Sequence, residues 1–377
     1  MSKFRQGAVC ILIATAFAGG AIAAPLNPSI GLEVENFSGS GPLAGFDQSE
    51  TTLSIEQTFQ LGGKRTKRRQ AAQANATLGA AECAVILRET ELEAALLLYD
   101  LLAASQVADL AEQAADLADT LLETVSKRVE AGAAAPPEQS RALADAAALR
   151  AAVYQARAAV ELKRYDLAAL WGSSEPQFAL PDIDRTALSE PRSESVREET
   201  HPQIAMAAAS ESARRAERDV ARASFMPDLT VSAGIRQFEE SGENAFLVGV
   251  RVPVPLFDQN RDAARAAGYR VDAERLNRLV VEANLLASPR VAVAQVRAAR
   301  ERLTLLEDAA LPAARSAYDA SVQGYAAGKF DLTTTLDARK GLIEASMAVI
   351  AANRDLNAES MRLRSIIGAA PFDGDFQ

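Results

Sequence analysis

Residues 26–37 read LNPSIGLEVENF. Ile30, Leu32 and Val34 alternate with Gly31, Glu33 and Glu35, so an extended strand here carries one apolar face and one charged face. The rest of the chain is mostly alanine-rich and helical in pattern. A strand that separates its faces this cleanly, in a helical protein, needs a different medium on each side.

What precedes the strand supplies the compartment. MSKFRQG brings two positive charges, an apolar run follows, and Ala21-Ile22-Ala23 places small residues at the cleavage-determining positions, so 1–23 read as a secretory signal peptide. No other stretch is read as long and apolar enough to cross a membrane as a helix, which leaves strands as the means of insertion. Cys10 lies in the signal segment and Cys83 in a helical stretch, so neither a disulfide framework nor a thiol metal site is expected.

Charge and composition exclude several classes. The formal charge is −10, and loss of Lys3 and Arg5 with the signal takes the mature chain to about −12, a poor match to nucleic acid. His201 is the only histidine, and no nucleotide loop, nucleophile elbow or metal-ligand spacing occurs. An enzyme is not expected, nor a cofactor or resident metal.

The order of elements occurs twice. The second strand, ETTLSIEQTFQLGG, sets Leu53, Ile55, Phe59 and Leu61 against Thr52, Ser54, Glu56, Thr58 and Gln60. A proline-free helix is predicted from Lys64 to Ala131, and a second from about Ser140 to Trp171. After a linker at 173–196 come a helix over HPQIAMAAASESARRAERDVARAS and a strand, PDLTVSAGIRQF, with Leu229, Val231 and Ile235 on one face. AFLVGVRVPVPLF follows, aligning Phe246, Val248, Val250, Val252, Val254 and Leu256. A long helical run to about Ala326 and a last helix from Leu332 to Ile367 complete the second half; Ser288-Pro289 is expected to interrupt the run. Gly172 lies 40 residues after Gly132, as Gly368 does after Gly328, so the chain divides into repeats at 24–172 and 197–369 with a tail at 370–377.

Four strands of about ten residues fit tilted membrane strands, although a half-buried soluble sheet has the same pattern. Four strands leave two open edges, and membrane barrels begin at about eight. Several chains must therefore complete the wall, with Ile30, Leu32, Val34, Leu53, Ile55, Phe59, Leu229, Val231, Phe246, Val248, Val250 and Val252 toward lipid and Glu33 and Glu35 toward a wet lumen. Lys64, Arg65, Lys67, Arg68 and Arg69 cluster at a helix start, where the helix dipole opposes them; lipid phosphates or solvent are the two candidate partners.

LNPSIGLEVENF, PVPLFDQNRDAAR and the paired turns RVEAGAAAPPEQ and GYAAGKFDLTTTLDARKGL resemble the TolC family of outer membrane efflux proteins, most closely its heavy-metal (CzcC/CusC-like) branch. The likeness implies an α+β membrane protein: a homotrimer with a twelve-stranded barrel in the outer membrane and an α-helical tunnel through the periplasm. It also implies a periplasmic adaptor and an inner-membrane pump as partners, and passive export of heavy-metal cations. A type I secretion or drug-efflux channel of the same fold, and a periplasmic helical scaffold without a barrel, are the alternatives. By the same resemblance Asp337 matches a ring-forming aspartate at the tunnel tip and Thr334 stands where a second acidic residue is usual. Tyr325 and Glu138 match a contact that holds the tip shut. Gly132 and Gly328 lie in the turns that meet the adaptor, and are also expected to be left-handed helix caps. All of these have a plainer reading as ordinary helix-end and helix-surface residues. The family usually has a further helix before its first strand, where only Leu26 and Asn27 separate the signal region from Pro28; a tunnel wall without it is expected to leave gaps.

Overall fold

A computed structural model describes residues 24–41, 44–178, 201–257 and 259–369. The signal segment, most of the linker and the tail lie outside them. In chain order the elements are β1 (Ser29–Glu35), β2 (Glu50–Phe59), α1 (Lys64–Glu130), α2 (Pro136–Ala169), α3 (Pro202–Ala223), β3 (Leu229–Phe238), β4 (Asn244–Arg251), α4 (Arg261–Leu305), a π-wound segment (Leu306–Ala310), α5 (Leu311–Ala326) and α6 (Leu332–Ile366). They form two compact units, Met1–Val85 with Pro202–Ala283, and Ile86–His201 with Asn284–Gln377.

The first unit is built on one antiparallel sheet in the order β1-β2-β3-β4. Its register aligns Ile30 with Ile55, Leu32 with Leu53, Leu53 with Ile235, Phe59 with Leu229, Val231 with Val250 and Ile235 with Phe246. Because side chains alternate strictly, this register collects most of the large apolar residues of all four strands on one face. Glycine thins the other face: a Cβ on Gly234 would lie 2.8 Å from the Leu53 carbonyl oxygen. Strand β4 ends at Arg251, earlier than expected, because Pro253 and Pro255 have no N–H to give a ladder. Val252 therefore lies one residue beyond the strand rather than in it, and Val254 and Leu256 lie farther beyond its end.

Helix α3 belongs to this unit and buries Ala207, Ala209 and Ala213. Its buried Glu211 takes Arg215 and, at 2.8 Å, the Nε of Arg278 on α4. At the start of α1, Lys64 pairs with Asp228 at 2.7 Å, Lys67 with Asp219 at 3.7 Å, and Arg68 donates to Gln60. Carboxylates at and just beyond the end of α3 thus face part of the basic cluster, which weakens the case for lipid phosphate at Lys64 and Lys67. Gly62 (φ 68) is required there, since a Cβ would stand 2.7 Å from that of Met226.

In the second unit α1 and α2 run antiparallel, joined by Gln139 to Ser126, Arg150 to Asp119 and Arg157 to Glu112. These pairs are exposed and contribute little stability. Burial contributes more: Met361 of α6 is fully enclosed against Ala95 and Tyr99 of α1, and Leu363 and Ile367 pack with Ala292 and Val296 of α4. Much of the buried seam is alanine, whose small side chain lets helix axes approach closely.

Two expectations about the helices need correction. Proline 289 does not interrupt α4, which continues through it to Leu305; Ser288 Oγ bonds back to the Asn284 carbonyl at 2.6 Å, one turn earlier. The irregularity comes later, as the π-wound Leu306–Ala310 just before Pro312, which cannot donate to the preceding turn. Nor are long apolar helical windows absent: α1 contains one of 18 residues with mean hydropathy 1.4, and Arg261–Ala326 one of 1.2. Alanine, leucine and valine together raise these values, in helices far longer than the roughly 20 residues a bilayer requires.

Candidate functional site: the two-faced sheet and the paired helix turns

The apolar face of the sheet is open. Phe246 is 86% exposed, Val248 80%, Ile30 77% and Leu32 70%, with Val34, Leu53, Ile55 and Val250 also exposed. Phe59 is exposed as well, while Leu229 and Val231 are half-buried. A contiguous greasy surface of this kind marks an interaction with lipid or another protein. Among the described residues, strands β1 and β4 each leave one edge unpaired. At about 3.3 Å per residue, β2 and β3 are about 33 Å long, which at a tilt near 45° covers roughly the 25 Å apolar band of an outer membrane barrel.

The opposite face is polar and internally matched. Arg236 bonds Glu35 at 2.8 Å, Glu50 at 2.7 Å and Thr52 Oγ1 at 2.9 Å, and Thr58 and Thr230 hydroxyls meet at 3.0 Å. Glu33 lies exposed on this face.

In the second unit the ends of four helices meet. Leu121 and Val125 of α1, Ala142 of α2, Tyr325 of α5, and Leu332 and Leu336 of α6 form one buried cluster. Gly132, Gly172, Gly328 and Gly368 have φ of 72°, 70°, 72° and 76°. Each closes its helix with the same two bonds, such as Gly132 N–H to the Val129 carbonyl and Ala133 N–H to Arg128, and Gly328 N–H to Tyr325 and Lys329 N–H to Gly324. The four glycine turns thus share one backbone geometry. Helix α2 begins at Pro136, before the expected Ser140, because proline is well suited to a first turn.

Tyr325 is 1% exposed, and its hydroxyl donates to Glu138 Oε2 at 3.0 Å. The other oxygen, Oε1, accepts the Ala135 N–H at 3.4 Å, so one carboxylate closes the first turn of α2 and receives the tyrosine. Burial, then the bond to Glu138, pushes the tyrosine pKa up to about 12. Asp337 and Thr334 do not join this group. Both are exposed and lie three residues apart on one side of α6. Asp331 caps that helix, its Oδ1 accepting the Thr334 N–H at 2.8 Å.

Two arginines escaped the reading of the sequence. The Arg128 guanidinium lies over the Tyr325 ring, 4.3 Å from its centroid. Arg339 is buried at 3% exposure and donates to Asp145. The only local hint was a cation in the last turn of α1; the partners are distant in the chain, as they are for Arg236.

The sequence matches the outer membrane efflux protein family over residues 16–173 and 196–369. The cobalt-zinc-cadmium resistance protein CzcC of Cupriavidus metallidurans is 32% identical over 302 residues, 78% of this chain and 71% of that protein. The nickel-cobalt-cadmium resistance protein NccC of Alcaligenes xylosoxydans xylosoxydans is 30% identical over 275 residues, 72% of this chain and 62% of its own length. The fold is similar to the Vibrio cholerae outer membrane protein VceC, with a TM-score of 0.78, 21% identity and coverage of 97% and 92% of the two chains. It is also similar to CusC, with a TM-score of 0.80, 16% identity and coverage of 97% and 89%. With its two-faced sheet and duplicated helix hairpins, the chain belongs to the outer membrane efflux protein family.

Proposed function

We propose that three copies of the chain join β1 of one to β4 of the next and close a twelve-stranded barrel, each passing its helices into the periplasm. The observation that carries this reading is the sheet with an exposed apolar face and two unpaired edges. In hydrocarbon every strand edge must be paired, and closure by neighbours meets that demand. The apolar residues then meet lipid, and Arg236, Glu33, Glu35 and Glu50 line water.

The conduit is passive: an inner-membrane pump supplies energy, and a periplasmic adaptor docks on the turns at Gly132 and Gly328. Heavy-metal cations are the favoured cargo, since the curated relatives at about this identity are cobalt, zinc, cadmium and nickel resistance proteins. Three Asp337 carboxylates around a narrow bore would attract cations and hinder anions. Thr334, one turn earlier, adds no charge. Tyr325 and Glu138 hold the bore closed from within each chain.

The test is the mass of the detergent-extracted protein together with single-channel recording in planar bilayers. A trimer that inserts and conducts is expected. Release of a monomer by osmotic shock without detergent, with no conductance, would favour a periplasmic scaffold and end the proposal.

A further inference from the structure

Arg128 sits in the last turn of α1, where a cation is stabilised by the helix C-terminus. That alone does not account for its contacts. Its neighbour Lys127 behaves as a plain helix-end cation, exposed and paired with Glu123 one turn back at 2.6 Å. Arg128 instead crosses to the other hairpin. Its Nη1 donates to the Tyr325 carbonyl, its plane lies on the Tyr325 ring, and its Nη2 donates to the Ala133 carbonyl at 3.2 Å. A Cβ placed on Gly328 would stand 3.7 Å from the same Nη2. One side chain therefore touches the first turn, the second turn, and both the ring and the backbone of the tyrosine.

We infer that Arg128 is a positioning residue of the closed gate: it holds Tyr325 by ring face and carbonyl so that the hydroxyl meets Glu138, and it ties this contact to the turn at Ala133. The inference rests on the gate reading of Tyr325 and Glu138. The ring is fixed on its face by a guanidinium and at its far end by a carboxylate, so loss of either lets it swing. A planar fork can stack and donate to two carbonyls together, whereas a lysine ammonium is a point charge on a flexible stem. Coupling follows from the shared side chain. Whatever takes the Ala133 carbonyl from Arg128 loosens the grip on Tyr325, which gives a partner bound at that turn a direct route to the gate.

Arg128→Lys keeps the charge and the helix while removing the fork, and Arg128→Gln provides a second variant. Assembly is checked by trimer migration on gels. Open probability in single-channel recordings should rise about tenfold in either variant, in line with loss of one cation–π contact and charged hydrogen bonds. In a Glu138→Gln background the same replacement should add nothing, because both residues act through one tyrosine. A purely structural arginine would give additive effects in that cycle, or native open probability in both variants, and either result overturns the inference. If Glu138→Gln opens the channel and the Arg128 variants do not, this inference alone is lost. If Glu138→Gln also leaves the open probability native, the gate reading falls and takes the inference with it.

Discussion

Val248 and Leu247 are adjacent in β4 and lie on opposite faces of the sheet. Val248 pairs with Ala233 between Phe246 and Val250 on the apolar face, near the middle of the strand. Leu247 pairs with Gly234 on the polar face, where the glycine leaves room. An arginine on the lipid face near the bilayer midplane costs about 2–4 kcal/mol, and on the lumen face it alters selectivity rather than stability. Val248→Arg should therefore destabilise each chain by about 2–4 kcal/mol, and three copies would carry about 6–12 kcal/mol in all. Were the sheet bathed in water, replacing a residue that is 80% exposed would change stability by no more than about 0.5 kcal/mol. The gap is at least about tenfold in the folded-to-unfolded ratio per chain, well within reach of denaturant titration. The assay is unfolding of both variants in phospholipid vesicles, with recovery in the outer membrane fraction as a second reading. Val248→Arg should lower the midpoint sharply while Leu247→Arg stays near the native value. Equal shifts, or the larger shift at Leu247, would refute the assignment of faces.

Asp337→Ala in the reconstituted trimer should raise conductance or weaken block by multivalent cations, and recordings unchanged in both respects would remove Asp337 from the constriction. His201 gives a pH dependence. Burial holds its pKa below the ordinary 6.5, against backbone hydrogen bonds at Ser365 and Ile366 that act the other way. Its stabilising contribution is then complete above about 6.5 and is lost as pH falls through the lower folded value. Thermal midpoints between pH 7.5 and 5 should fall with acid in the native protein and fall less in His201→Gln; parallel curves would contradict this.

The two faces of the strands were legible because a period of two survives in any context, while the register that pairs them came only with the structure. Gly132 and Gly328 were legible as caps because few other residues accept a positive φ. Val252 falls outside β4 because Pro253, which cannot join a ladder, ends the strand just before it. Pro289 was over-read, since a proline removes one backbone bond while a long packed helix retains the rest. Arg128 and Arg236 were hidden for a different reason: their partners are set by register and by which helix ends meet, which local pattern does not contain. The Tyr325 and Glu138 pairing was drawn from resemblance alone, and the atoms that meet became visible only with α2 and α5 side by side.

The most direct test of the lipid-facing sheet uses the single tryptophan of the chain, Trp171. With Trp171→Phe and Val248→Trp combined, fluorescence in vesicles of phospholipid brominated near the ends of its acyl chains reports what touches the apolar face. Strong quenching by the bromines and little by aqueous iodide is the expected result. Quenching by iodide with none from the brominated chains would place that face in water and contradict the barrel.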